Sequence, residues 1–186
     1  MRATVWTARS RSSSNRNCSA AGSSEMRHEI VEISPPGPAT DPRRHWPEHL
    51  REEFESNQLS GAVGSVLVSE TERVRVWHLA LPPGGWLSFH RHVLDYFWTT
   101  PTSGIARGYY EDGRIVDVHH YPGETRHFHH GLGDYFVHAV ENVGDTELVF
   151  VTVEFLQGDN PPIPLPQTVR FEASPPPKSA DTEAIG

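Results

Sequence analysis

Cysteine is almost missing from this sequence of 186 residues: Cys18 stands alone, in a polar serine-rich segment. An intramolecular disulfide framework and a cysteine-based zinc knuckle are thereby excluded, and a cytoplasmic location fits. Lysine is just as scarce, with Lys178 alone, and the formal net charge is -8. That balance argues against electrostatic attraction to nucleic acid or to an anionic membrane surface. A continuous apolar run long enough for a membrane span or a signal-peptide core is also lacking. The expected partner is a small molecule, with no nucleic acid and no membrane.

Charge is unevenly spread. The first 25 residues carry Arg2, Arg9, Arg11 and Arg16 against Glu25, a net +3 that leaves -11 for the remainder. An arginine- and serine-rich, acid-poor start is compatible with an organelle transit peptide. The plainer expectation is a disordered extension over residues 1–26, with Met26 as the true start. Residues 27–59 read as an N-terminal arm with one short helix near residues 47–56, where Pro47 suits a first helical turn. At the far end, residues 159–186 hold Pro161, Pro162, Pro164, Pro166 and Pro175 to Pro177. Such a tail forms neither a helix nor a central strand and is expected to run extended, packed along the surface.

Between these tails, residues 60–158 form one domain of short strands separated by turns. Strands are expected over residues 62–68, 73–81, 86–92, 94–99, 104–110, 114–119, 125–129, 135–140 and 147–155. Glycine and proline turn signals punctuate them at residues 82–85, 111–113, 122–124 and 131–134. This spacing implies an all-β barrel or sandwich.

Histidine is what the domain has in abundance: nine of the twelve lie between His78 and His138. His90 and His92, one residue apart on a strand, point to the same face and can grip one metal ion together. An unpaired buried imidazole nitrogen costs roughly 1 to 3 kcal/mol, so several converging in an apolar lumen imply a ligand. For His28, His45, His49 and His119 a plain exposed or hydrogen-bonded role is expected.

The segment GGWLSFHRHVLDYFWTTPTSG, residues 84–104, resembles the first motif of the cupin superfamily, with a glycine, a short strand, His-x-His, a fourth ligand position and a closing glycine. HAVEN, residues 138–142, followed by VGD, resembles the second motif. The wording around both is similar to small single-domain cupins, including those associated with β-alanine degradation. The resemblance covers roughly residues 60–156 and implies a single jelly-roll barrel, the double-stranded β-helix, and often a homodimer, with residues 28–33 able to add an edge strand to a neighbour. It implies His90, His92 and His138 as metal ligands.

One departure stands out. Where cupins usually place a glutamate, four residues after the second histidine, this chain has Tyr96, with Asp95 one residue earlier. Strand parity sends Tyr96 to the lumen and Asp95 away from it unless a bulge shifts the register. A three-histidine site with Tyr96 beside it is the expectation. Tyr96 fits equally well as a proton-transfer group and as a core-filling aromatic. His127 and His129 are the other candidates for proton transfer. Trp98 is expected to line the pocket, and Arg107 would bind a carboxylate if it faced inward.

Three imidazoles suit one divalent transition-metal ion, with Fe2+ placed first and Zn2+, Mn2+, Ni2+, Cu2+ and Co2+ open. Three protein ligands leave coordination positions for a substrate. The expected function is a metal-dependent enzyme acting on a small organic acid or carbonyl compound, oxygenase chemistry first and isomerase or lyase chemistry next. The alternative is a small-ligand binding or accessory cupin without turnover.

Overall fold

The turn signals seen in the sequence become the joints of two antiparallel sheets. A computed structural model describes residues 29–171. The expectations for residues 1–28 and 172–186, including Met26 as the start, lie outside the described residues. The elements in chain order are β1 (Glu29–Ser34), α1 (Glu48–Asn57), β2 (Val66–Glu70), β3 (Val74–Leu81), β4 (Trp86–His92), β5 (Tyr96–Thr100), β6 (Gly104–Tyr110), β7 (Ile115–His120), β8 (Glu124–Phe128), β9 (Phe136–Asn142) and β10 (Leu148–Phe155). A short 3-10 turn, Gln167–Val169, follows.

One sheet runs β1-β7-β6-β9-β4 and the other β2-β3-β10-β5-β8. The fold is an all-β jelly-roll barrel with one helix, as expected from the strand pattern. One boundary differs: residues 62–65 are not strand, so β2 begins at Val66. Residues 29–34, within the segment expected to be able to add an edge strand to a neighbour, pair with β7 of their own chain, from Glu29 opposite His119 to Ser34 opposite Ile115, and β1 forms one edge of its sheet.

Helix α1 sits outside the barrel and closes its back. Pro47 occupies the N-cap, with extended backbone, rather than the first helical turn. Leu50 and Phe54, four residues apart and therefore on one helix face, are buried against Trp46, Phe89, Val137 and Ala139. The aromatic rings interlock, Trp46 stacking on Phe89 at 5.4 Å and Phe54 meeting Phe89 edge-on at 5.2 Å. Trp46 Nε1 donates to the Gly113 carbonyl at 3.1 Å. Gly113 has φ +90°, and a Cβ there would overlap the Pro42 carbonyl, so only glycine fits this turn.

The chain after β10 also packs on the barrel. Leu165 and Val169 lie against the cluster of Val63, Leu67 and Trp77. Arg75 Nη1 donates to the Ile163 carbonyl at 3.1 Å. Among the described residues, no helix is long and apolar enough to cross a membrane.

Candidate metal centre

Strand β4 is not regular, and its irregularity aims the histidines. Pairing with β9 slips between Leu87 and His90. Leu87, His90 and His92 all line the interior cavity, whereas Phe89 packs under the helix. The extra residue of the bulge places Ser88 and Phe89 together between two inward positions. It also brings the Ser88 carbonyl to 2.8 Å from His90 Nδ1. With Nδ1 donating to that carbonyl, the lone pair of His90 sits on Nε2.

His138 of β9 stands directly opposite His90 in the ladder, and Tyr110 of β6 stands opposite His138 on the other side. His90 Nε2 lies 3.1 Å from His92 Nε2, which lies 3.2 Å from His138 Nε2. Donor atoms of all three residues fall within 4.8 Å of one another, a group that could hold a metal ion. The spacing can be tested against bond lengths. Metal–nitrogen distances near 2.0–2.1 Å with these separations give N–metal–N angles of about 95–105°, between octahedral and tetrahedral values. These two angles and the mutual reach of all three donors fit a divalent transition metal.

Burial sets the protonation state that ligation needs. Desolvation lowers His90 to a pKa of about 4, with the Ser88 carbonyl opposing the shift. Burial also drives His92 and His138 well below the ordinary histidine range, and repulsion from neighbouring imidazoles adds to it. Metal ligation requires neutral imidazole, and the fold supplies it near neutral pH without help from the ion. Among the described residues His92 Nδ1 is buried with no hydrogen-bond partner, a cost borne at this site alone among the three histidines.

Tyr96 takes the inward side and Asp95 the outward side. The Tyr96 ring stacks on His92 at 4.2 Å and on Phe128 at 4.5 Å. Burial raises its hydroxyl well above the usual tyrosine range, so it stays protonated. Asp95 faces the turn before β9, where it lies 2.9 Å from His129 Nδ1 and accepts the His130 backbone N–H at 2.8 Å.

Neither His127 nor His129 reaches the cavity, which corrects their expected placement beside the metal. In β8 the inward positions are Glu124, Arg126 and Phe128, because Phe128 pairs with inward Tyr96 and alternate residues share a face. His127 therefore points outward, against Phe97. His129 lies past the strand end, its side chain 76% exposed and ion-paired to Asp95. Arg107 also faces outward, held by both oxygens of Asp117 at 2.7 and 2.9 Å.

The cavity has a volume of about 280 Å³, and Leu87, Trp98, Phe136, Val140 and Phe150 supply much of its apolar wall. Gly108 also lines it, and a Cβ there would come within 2.7 Å of the Tyr110 hydroxyl. Sequence reasoning assigned no role to two wall residues, His120 and Arg126. The signal needs the strand pairing: with Tyr96 inward, the antiparallel register of β5 with β8 puts Arg126 on the same side.

A jelly roll with three converging histidines on β4 and β9 is a barrel that could hold a metal ion, and sequence likeness narrows the class. The chain is similar to a cupin domain from Bordetella pertussis Tohama I, at 32% identity over 47% of this chain and 85% of that one, with a TM-score of 0.42. It is similar to a protein with a double-stranded β-helix domain from Klebsiella pneumoniae, at 26% identity over 46% of this chain and 69% of that one, with a TM-score of 0.37. A DMSP lyase from Ruegeria pomeroyi is similar at 17% identity over 48% of this chain and 44% of that one, with a TM-score of 0.36. No family model matches the sequence, and no curated protein does. The chain belongs to the cupin superfamily.

Proposed function

We propose that this cupin is a metal-dependent enzyme acting on a small organic acid or carbonyl compound, with an Fe2+ oxygenase as the first reading and isomerase or lyase chemistry on Zn2+ or Mn2+ as the next. One observation carries it: the Nε2 atoms of three neutral imidazoles, those of buried His90 and His92 and half-buried His138, meet at the wall of an interior cavity. His90, His92 and His138 would hold the ion on one side and leave its other positions to the cavity. A bound divalent metal there supplies Lewis acidity or, with iron, redox chemistry. The residues contribute the rest: Ser88 orients His90, Tyr96 packs His92 in place, and the apolar wall excludes water.

The decisive measurement is elemental analysis of protein purified without an affinity tag, alongside a His138→Ala variant. Near-stoichiometric iron in the parent and loss of both metal and turnover in the variant is the expected result. Full metal content in His138→Ala removes that residue from the site. Oxygen uptake with small carboxylic acids separates oxygenase from isomerase chemistry, since only the first consumes dioxygen.

The outward placement of His127 and His129 favours one second reading, a cupin that binds a small ligand without turnover. It predicts metal and metabolite binding with every candidate substrate unchanged, in air and without it. The same proposal includes a homodimer, read by light scattering of the purified protein.

A further inference from the structure

Two clusters of ionisable side chains reach the same cavity, the second through His120 and Arg126 on its wall, and the proposed function uses only the first. The other consists of His120 from the end of β7 with Glu124 and Arg126 from β8. Register places it away from the three histidines. Tyr96, which stacks on His92, stands opposite Phe128, while Trp98 stands opposite Arg126 and Thr100 opposite Glu124. Phe128, Arg126 and Glu124 thus form an inward row leading away from the metal end, in steps of roughly 7 Å per two residues. His120 closes that end, edge-on to Trp98 at 5.3 Å and to Phe150 at 5.1 Å.

Glu124 organises the cluster. Its side chain is 2% exposed, and one oxygen accepts Arg126 Nε at 3.0 Å while the other lies 2.8 Å from His120 Nδ1. The guanidinium is therefore held by its Nε edge. Among the described residues the Nη groups make no hydrogen bond, and the residue lines the cavity with its side chain 41% exposed. A planar guanidinium fixed along one edge presents parallel N–H groups that match the two oxygens of a carboxylate. Between this end and the histidines the wall is apolar, formed by Leu87, Ala106, Val140 and Phe150 among others.

We propose that Arg126 anchors the distal carboxylate of a small organic acid whose other oxygen function lies at the three-histidine end, with the Glu124 carboxylate fixing the guanidinium. This rests on the metal-centre reading and narrows its substrate class to short acids with an oxygen-bearing group at each end and an apolar middle. The volume of about 280 Å³ admits on the order of ten water-sized groups, at roughly 30 Å³ each.

The test titrates the full chain calorimetrically, first with Zn2+ and then with glutarate or glutarate monoamide, in parent and Arg126→Gln proteins. Zn2+ should bind both proteins equally. If the parent takes up no Zn2+, the metal reading fails, and glutarate titration of the metal-free protein still reads the arginine. Glutarate should bind the loaded parent at least tenfold more tightly than it binds Arg126→Gln. The parent should also prefer glutarate over the monoamide at least tenfold, and Arg126→Gln should lose most of that preference. Equal glutarate affinity in parent and variant overturns the proposal, as does failure of the parent to bind glutarate. If Arg126→Gln does not fold, the parent's preference decides, and equal affinity for glutarate and monoamide overturns it.

Discussion

Strands β4 and β9 carry different chemistry on their two faces. Outward, Phe89, Val137 and Ala139 pack under α1 in a dry cluster with Trp46, Leu50 and Phe54. Inward, His90, His92 and His138 turn polar atoms toward a cavity. The first face lowers the free energy of the folded state by removing apolar surface from water. The second raises it, because buried imidazoles lose hydration and one nitrogen of His92 finds no partner among the described residues. The back face holds the front in register: an inward site with internal cost persists because the outward face over-determines the strand positions.

Truncating the back face should have the largest effect. Phe89 is fully buried and touches three other aromatic rings, so Phe89→Ala is expected to cost about 3–5 kcal/mol in chemical denaturation. If the comparison holds, the surviving folded fraction also binds metal less tightly, since the bulge that aims His90 begins beside Phe89. Unchanged metal affinity in a destabilised Phe89→Ala protein would separate the two faces.

Acid should act on the front face alone. His90 has a folded pKa of about 4 against an ordinary 6.5, so between those values the unfolded chain binds a proton that the folded chain does not. Stability of the metal-free protein therefore rises with pH through that window and is lost as pH falls, by about 3 kcal/mol for His90 alone. His92 and His138 are shifted the same way. His90→Ala should flatten the slope measured by urea denaturation between about pH 6.5 and 4. The metal affinity of folded protein should hold further into acid than unperturbed histidines would allow, weakening well below pH 6.5. A midpoint for metal release at pH 6.5 would show that the imidazoles are hydrated.

Removing a single ligand should have a smaller effect on free energy. His92→Ala is expected to weaken Zn2+ binding at least a hundredfold, about 2.7 kcal/mol, while leaving the cluster under α1 folded. The readout is competition with a chromophoric chelator, with near-ultraviolet dichroism reporting on the aromatic packing. Loss of that dichroic signal would mean that the front face also holds the back.

The histidine spacing in the sequence already carried the front face, because His-x-His on a strand has one geometric outcome. Tyr96 and Asp95 were separable by parity once no bulge intervened between β4 and Tyr96. What stayed hidden was the bulge in β4 itself, since nothing in Leu87-Ser88-Phe89-His90 distinguishes a slipped ladder from a regular one. His127 and His129 looked luminal because histidines cluster there, yet parity from Tyr96 through the β5–β8 register sends His127 outward, and His129 lies past the strand end, paired with Asp95. Arg107 and Arg126 traded places for the same reason: composition offers both, and only strand pairing says which faces in. The intramolecular pairing of β1 with β7 is a long-range contact that no local pattern announces.

His129 provides the smallest predicted effect and a sign opposite to that of His90. The carboxylate of Asp95 raises the His129 pKa above its ordinary value through a hydrogen bond and charge. A raised histidine contributes stability that is present in full below its unfolded value and is lost as pH rises through the folded one. His129 is largely exposed, so solvent screens the pair and its contribution is slight. His129→Ala should therefore lower the melting temperature slightly at pH 5, with the difference shrinking toward pH 8, and leave Zn2+ affinity unchanged at every pH. His127→Ala should leave both unchanged, since its ring packs against Phe97 on the outer face. A loss of Zn2+ affinity in either variant would carry an outward-facing histidine back to the metal centre and break the division between the two faces.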